Sequence, residues 1–184
     1  MKNTILWIKK KFSWNLKYFQ GKWKFMETEN IRYESIYKLI NVNDTKYTIL
    51  DLGCGYGTLL NYFKKEDYSN YLGIDLSNYV ISKAKKRNYL NSDFLSYNIQ
   101  KFIPQTKFDV IIFNEVIYYL DDPLNELVRY SIYLNEGGFI IISIFGVRED
   151  LIEKFKEKLN LESHVTIKKD DSLIWGLSKF TKKI

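Results

Sequence analysis

Cysteine and histidine are almost missing from this chain of 184 residues, which has one of each, Cys54 and His164. A lone cysteine closes no internal disulfide, so nothing marks an oxidising compartment and a cytoplasmic location is expected. The same scarcity excludes a Cys/His-rich metal site; only carboxylate sets stay open, and no metal is expected. Long apolar runs are also missing. None approaches the roughly 20 residues of a membrane-spanning helix. The first apolar stretch, Ile5-Leu6-Trp7-Ile8, falls short of the about 7–15 residues of a signal-peptide core, and lysines follow at once. There are two prolines, no repeat, no low-complexity tract and no Pro/Gly/Ser-rich linker, so one domain is expected over residues 1–184. The first 26 residues lack acid altogether.

What is present is a sizeable core fraction: 46% apolar, 17% aromatic and 27% charged residues. That composition excludes a disordered chain. The net charge of +6 is unevenly placed. Lys2, Lys9, Lys10, Lys11, Lys17, Lys22 and Lys24 lie before residue 27, and the remaining basic and acidic residues nearly balance. The same segment carries Trp7, Trp14 and Trp23, three of the four tryptophans. Within it Ile5, Ile8, Phe12, Leu16, Phe19 and Trp23 recur at steps of three or four, which predicts one apolar helical face. Asn3 or Thr4 can cap that helix and Gly21 interrupts it. A second helix is expected from Thr28 to Leu39. Residues 1–45 form a helical arm or lid on this reading, and 46–184 a core.

The core alternates strand and helix. Tyr47–Leu52, Tyr71–Ile74, Phe108–Phe113 and Phe139–Phe145 are buried strands by pattern, and Tyr89–Asn91 a weaker one. Thr58–Lys65, Asn78–Arg87, the segment from Pro123 to about Leu134, and Arg148–Leu159 are helices, the third capped by Asp121 or Asp122. His164–Lys168 and Leu173–Phe180 close the chain across Lys169–Ser172, too short a link for parallel strands, so one must run antiparallel. The expected class is α/β: a doubly wound, mostly parallel seven-stranded sheet with an antiparallel closing strand and the N-terminal helical arm.

The chemistry centres on Asp51-Leu52-Gly53-Cys54-Gly55-Tyr56-Gly57, a glycine turn after a buried strand. A dinucleotide fingerprint needs its third small residue at position 58, which is Thr58. Asp51 inside the strand end opposes a pyrophosphate and suits a cation. This segment resembles the first motif of class I S-adenosylmethionine-dependent methyltransferases, roughly D/E-x-G-x-G-x-G, and the resemblance runs from Tyr47 to about Phe180. It implies a Rossmann-like fold and S-adenosylmethionine as cofactor, with S-adenosylhomocysteine as product. It assigns the ribose to Asp75, 20 residues after Gly55, with Leu76 beside the adenine and Ser77 following. Asn91-Ser92-Asp93-Phe94 resembles the adenine-contacting segment, with Asp93 accepting and Phe94 against the ring. Asn114-Glu115-Val116-Ile117-Tyr118-Tyr119-Leu120 looks like the exit of the fourth strand in small-molecule methyltransferases. The Asn/Asp-Pro-Pro-Tyr/Phe signature of base amino methylation is absent.

The cofactor set is therefore Asp51, Gly53, Cys54, Gly55, Tyr56, Asp75, Leu76, Ser77, Asp93, Phe94, Asn114 and Glu115. Glu115, Tyr118 and Tyr119 are the catalytic candidates, and Trp23, Arg32 and Tyr33 the substrate or lid candidates. His164 is expected to be structural. The reaction expected is methyl transfer to a small polar acceptor, oxygen before nitrogen, with an anionic sugar phosphate, nucleotide sugar or natural-product intermediate as the example. An RNA methyltransferase gripping through the arm and a non-catalytic cofactor-binding subunit are the alternatives. For the arm itself, lid or docked helix is preferred to a membrane-surface helix or a nucleic-acid contact.

Overall fold

A computed structural model describes residues 2–27, 30–40, 46–146, 148–169 and 173–183, with side chains for all of these except 2–7 and 26. Helix α1 (Lys2–Phe19) already includes Asn3 and Thr4, the expected caps, in its first turn; the side chains of residues 2–7, those of Ile5 and Trp7 among them, the helix start expected at Thr28 and residues 170–172 of the last link lie outside that description. Seven strands form one sheet: β1 (Tyr47–Leu52), β2 (Tyr68–Asp75), β3 (Ser92–Ser96), β4 (Phe108–Asn114), β5 (Leu134–Phe145), β6 (Leu159–Lys168) and β7 (Ile174–Lys182). Their order is β3-β2-β1-β4-β5-β7-β6. Strands β1 to β5 pair in parallel. β7 is the antiparallel member, inserted between β5 and β6.

Successive residues of a strand point to opposite faces, and the sheet is buried on both. Val110 and Ile112 join one apolar layer with Ile49, Tyr71 and Ile141. Ile111 and Phe113 join the other with Leu50, Ile74, Ile140 and Ile142. The first layer is covered by helices α2 (Ile31–Ile40) and α3 (Asn78–Lys85) through Ile36, Ile40, Ile81 and Ala84. The second is covered by α4 (Pro123–Ser131) and α5 (Glu149–Lys156) through Leu127, Tyr130, Leu151 and Phe155. Asp122 caps α4 by accepting from the Asn125 N–H at 3.0 Å, with Pro123 in the first turn.

Several boundaries differ from expectation for local reasons. The third strand is Ser92–Ser96, not Tyr89–Asn91, because Asn88 and Asn91 both take left-handed backbone (φ 51° and 49°), which breaks an extended run. The expected helix Thr58–Lys65 is a 3-10 helix, Thr58–Tyr62, that follows Gly57 at φ 69° with no side-chain cap. Thr58, Leu59 and Leu60 are buried there. The helix expected to reach Leu134 stops at Ser131, and β5 already begins at Leu134. β6 begins at Leu159, five residues before His164.

The largest correction concerns helix α1 (Lys2–Phe19). Its face of Ile8, Phe12, Leu16 and Phe19, expected to pack inward, is 54%, 70%, 42% and 72% exposed. Lys10, Trp14 and Tyr18, on the far side of the helix, dock instead, with Asn15 docking at the edge of the exposed stripe. The reason lies in what the body offers: at this edge the partners are the N-terminus of α3, Tyr119 and Asp121, which match polar and aromatic side chains.

Gly73 in β2 shows how tightly the sheet is packed under its helices. A β-carbon there meets Phe94 at 2.7 Å and Cys54 Sγ at 2.9 Å. Gly73→Ala is expected to lower unfolding stability by about 1–3 kcal/mol, measured by denaturant titration.

Candidate active site

Parallel register places the carboxyl ends of β1, β2 and β4 side by side, where ligands bind in doubly wound sheets. Gly53 follows β1, Asp75 ends β2 and Asn114 ends β4. The Gly53 and Cys54 N–H groups both donate to the Ile74 carbonyl, at 2.7 and 3.0 Å, which pins the glycine turn to β2. Gly53 sits at φ 80°, and a β-carbon there would meet Val116 at 2.7 Å, so glycine is required on both counts. Above this crest lies a cavity of about 360 Å³. Its floor is Gly53, Asp75, Leu76, Asn114 and Glu115; one wall is Tyr97, Asn98, Ile99 and Gln100. Its roof comes from the arm: Lys10, Trp14, Tyr18 and Trp23.

The roof is fastened on both sides. Asn15 Oδ1 accepts from the Ser77 hydroxyl at 2.7 Å and the Tyr79 N–H at 3.2 Å. Ser77 in turn caps α3. Trp14 meets Tyr119 edge-on at 5.2 Å and stacks with Trp23 at 5.7 Å. Tyr18 is buried and meets Tyr56 edge-on. Lys10 pairs with Asp121 at 2.8 Å across the cavity mouth, where both are well exposed. Such a pair contributes little to stability, so aromatic contact and the Asn15 bonds hold the roof.

Two carboxyl groups are buried beneath it. Asp75 accepts from the Gly55 N–H at 3.1 Å and the Ser77 N–H at 2.8 Å. Burial pushes its pKa up to about 6 despite those bonds. Asp51 Oδ2 accepts from the Tyr71 hydroxyl at 2.5 Å, while Oδ1 is buried with no hydrogen-bond partner among the described residues. Burial raises Asp51 to about 7, with Asp75 adding to the rise and Tyr71 and Arg32 opposing it. A buried carboxylate oxygen without a donor is unfavourable unless a cation or donor arrives. These groups fit S-adenosylmethionine, which carries an ammonium, a sulfonium and two ribose hydroxyls.

Glu115 follows β4 with φ 57°, left-handed backbone in a residue with a full side chain. Such strain costs on the order of 1–3 kcal/mol and persists only where the surroundings impose it. Here they do: the Glu115 N–H donates to the Ser143 carbonyl at 3.1 Å. Its carboxylate accepts from the Ser143 hydroxyl at 2.6 Å and the Tyr118 hydroxyl at 2.7 Å. Burial and Glu115 hold the Tyr118 phenol far above its usual range, so Tyr118 stays a donor that orients Glu115.

The structure brings Gly53, Asp75, Leu76, Asn114, Glu115, Tyr119 and Trp23 to one cavity. Asp51, Cys54, Gly55, Tyr56, Ser77 and Tyr118 sit around it without lining it. Asp93 and Phe94 are not brought there: Asp93 is exposed on β3, and Phe94 is buried against Gly57 and Gly73. The wall expected of them is made by Tyr97, Asn98 and Ile99, just past the true end of β3; placing that strand early hid them. Arg32 does not reach the cavity. It is buried between Tyr33 and Trp175 and donates to Asn114 Oδ1 at 2.7 Å, bracing a floor residue from behind. Tyr33 stacks on Tyr62 in the core rather than in a lid. His164, on the outermost strand, pairs with Ser178 at 2.8 Å. Lys10, Trp14 and Tyr18 were missed as lining residues because their face of α1 is not its apolar one.

A sheet of this order, with a glycine turn after β1 and an acid ending β2, defines the class I S-adenosylmethionine-dependent methyltransferase fold. The chain belongs to the methyltransferase domain family, whose model matches residues 23–180. It is 31% identical over 139 residues to the mitochondrial ubiquinone biosynthesis O-methyltransferase of Candida albicans, covering 72% of this chain and 40% of that protein. It is 33% identical over 129 residues to the malonyl-[acyl-carrier protein] O-methyltransferase of Bacillus cytotoxicus, covering 65% and 44%. The chain thus spans less than half the length of these curated relatives. The N-methyltransferase NodS of Bradyrhizobium japonicum, solved with S-adenosylhomocysteine, shares the fold with a TM-score of 0.71 at 20% identity, over 85% of this chain and 88% of that one. The [4+2]-cyclase SpnF shares it too, at TM-score 0.66 and 13% identity, over 82% of each chain. Fold alone therefore leaves the reaction to the site.

Calorimetry with S-adenosylhomocysteine is expected to show binding that tightens as pH rises through about 6 to 7, because Asp75 and Asp51 must ionise to receive ribose hydroxyls and an ammonium. Both carboxyls ionise near 3.8 in the unfolded chain, so the ligand-free fold loses stability as pH rises from about 4 through 6 to 7. Asp75→Ala is expected to weaken binding by at least about tenfold, the loss of two hydrogen bonds to a charged acceptor.

Proposed function

We propose that the chain transfers a methyl group from S-adenosylmethionine to a small polar acceptor, to oxygen rather than nitrogen. The observation that carries this reading is the meeting, in one roofed cavity, of the buried Asp75 carboxyl over the glycine turn and the strained, doubly hydrogen-bonded Glu115. The cofactor, when bound, supplies a methyl carbon activated by a sulfonium, so the protein's work is positioning. Asp75 receives the ribose hydroxyls, and the free Asp51 oxygen faces positive charge. Glu115, fixed by Ser143 and Tyr118, takes the proton from an acceptor hydroxyl. Trp14, Trp23 and Tyr119 exclude water and hold the acceptor against the floor.

The lining also supports an acceptor with anionic character. Lys101 reaches the cavity, Lys10 lies at its mouth in its pair with Asp121, and the buried Trp23 Nε1–H has no hydrogen-bond partner among the described residues. A phosphorylated or nucleotide-linked sugar, or another natural-product intermediate, meets that description. The two curated relatives named above are themselves O-methyltransferases by name, which favours oxygen over nitrogen.

A screen of methyl transfer against hydroxy acids, sugar phosphates, sugar nucleotides and RNA tests this reading. Methylation of a small hydroxyl acceptor is the expected outcome; turnover of RNA alone, or of none of them despite cofactor binding, contradicts it. On the acceptor found, Glu115→Gln is expected to lower kcat by about 10²-fold or more and to change S-adenosylhomocysteine affinity far less.

A further inference from the structure

Helix α1 has two faces, and the site uses one. Trp14 and Tyr18 roof the cavity. On the opposite side Ile8, Phe12, Leu16 and Phe19 fall within about 80° of one another around the helix, at 100° per residue. All four are exposed, from 42% to 72%. Phe19 touches Tyr79 only edge-on, at 5.9 Å between ring centres. Four large apolar side chains in a row on an 18-residue helix are more than scattered surface residues, and such stripes mark an interaction surface.

The charge around the stripe identifies what it meets. Residues 1–26 carry seven lysines and no acid, in a chain whose remainder is near neutral. Lys9 borders the stripe and is exposed; Lys22 and Lys24 are exposed just beyond the helix. A basic helix with Phe, Leu and Ile on one side is the arrangement that lies in the headgroup layer of an anionic bilayer. The stripe is far too short and polar-flanked to cross one, and among the described residues no helix is long and apolar enough to do so. Two copies meeting arm to arm would set lysine against lysine, since residues 1–26 hold no acid.

We propose that the outward face of α1 docks on the surface of anionic membranes. The helix then has a bilayer on one side and the cavity on the other, so the helix that covers the site is the helix held at the membrane.

Vesicle co-sedimentation of the whole chain tests this, with no cofactor or acceptor present, so its result is separate from that of the methyl-transfer reading. The chain is expected to sediment with phosphatidylglycerol/phosphatidylcholine vesicles and not with phosphatidylcholine alone. Phe12→Ser/Leu16→Ser is expected to weaken binding by at least about tenfold, and Lys9→Glu/Lys22→Glu/Lys24→Glu to weaken it at low salt, the difference from the unaltered chain shrinking as salt is added. Both variants alter exposed positions, and an unchanged S-adenosylhomocysteine affinity shows that the fold and cavity are intact. No binding to anionic vesicles, equal binding to neutral ones, or binding that survives Phe12→Ser/Leu16→Ser overturns the proposal. So does a dimer in light scattering that Phe12→Ser/Leu16→Ser dissociates, since a second copy would then cover the face.

Discussion

Two carboxyl groups buried close together under one glycine turn set the terms for this molecule. Asp51 and Asp75 each lose hydration, and Asp75 adds to the cost of ionising Asp51. A fold keeps such a pair only where something offsets the cost. Backbone N–H groups of Gly55 and Ser77 do so in part for Asp75, and the Tyr71 hydroxyl does so for one oxygen of Asp51. The remaining oxygen finds no hydrogen-bond donor among the described residues. The glycine turn, the acid ending β2 and the cavity above them are intelligible as one arrangement for receiving a cationic ligand with ribose hydroxyls.

The rest of the site is built outward from that pair. Strand β4 runs beside β1 and delivers Asn114 and Glu115 to the same level. Arg32 on α2 donates to Asn114, and Ser143 on β5 donates to Glu115. The arm closes the top with aromatic rings rather than with its apolar stripe. That choice follows from what surrounds the cavity mouth, where the exposed N-terminal atoms of α3 need acceptors and Tyr119 offers a ring edge.

Much of this was legible in the residues. The alternation of apolar runs and helical spacing marks the doubly wound sheet, and Asp51 to Gly57 with Asp75 marks the binding crest, because local backbone demands and burial leave their trace in adjacent positions. Asp93 and Phe94 were misplaced for the same reason in reverse. Periodicity locates a short strand poorly, and two asparagines in left-handed backbone shifted β3 by a few residues, moving the wall to Tyr97, Asn98 and Ile99.

The sequence alone determined the fold class, the glycine turn and the acid at the end of β2, since these rest on patterns within single elements. Only the tertiary structure decided what α1 covers, where Arg32 points and which groups hold Glu115. Lys10 meets Asp121 across 111 positions and Arg32 meets Asn114 across 82. Contacts of that kind depend on how elements dock, and docking is chosen by the surface on offer rather than by the helix's own apolar face.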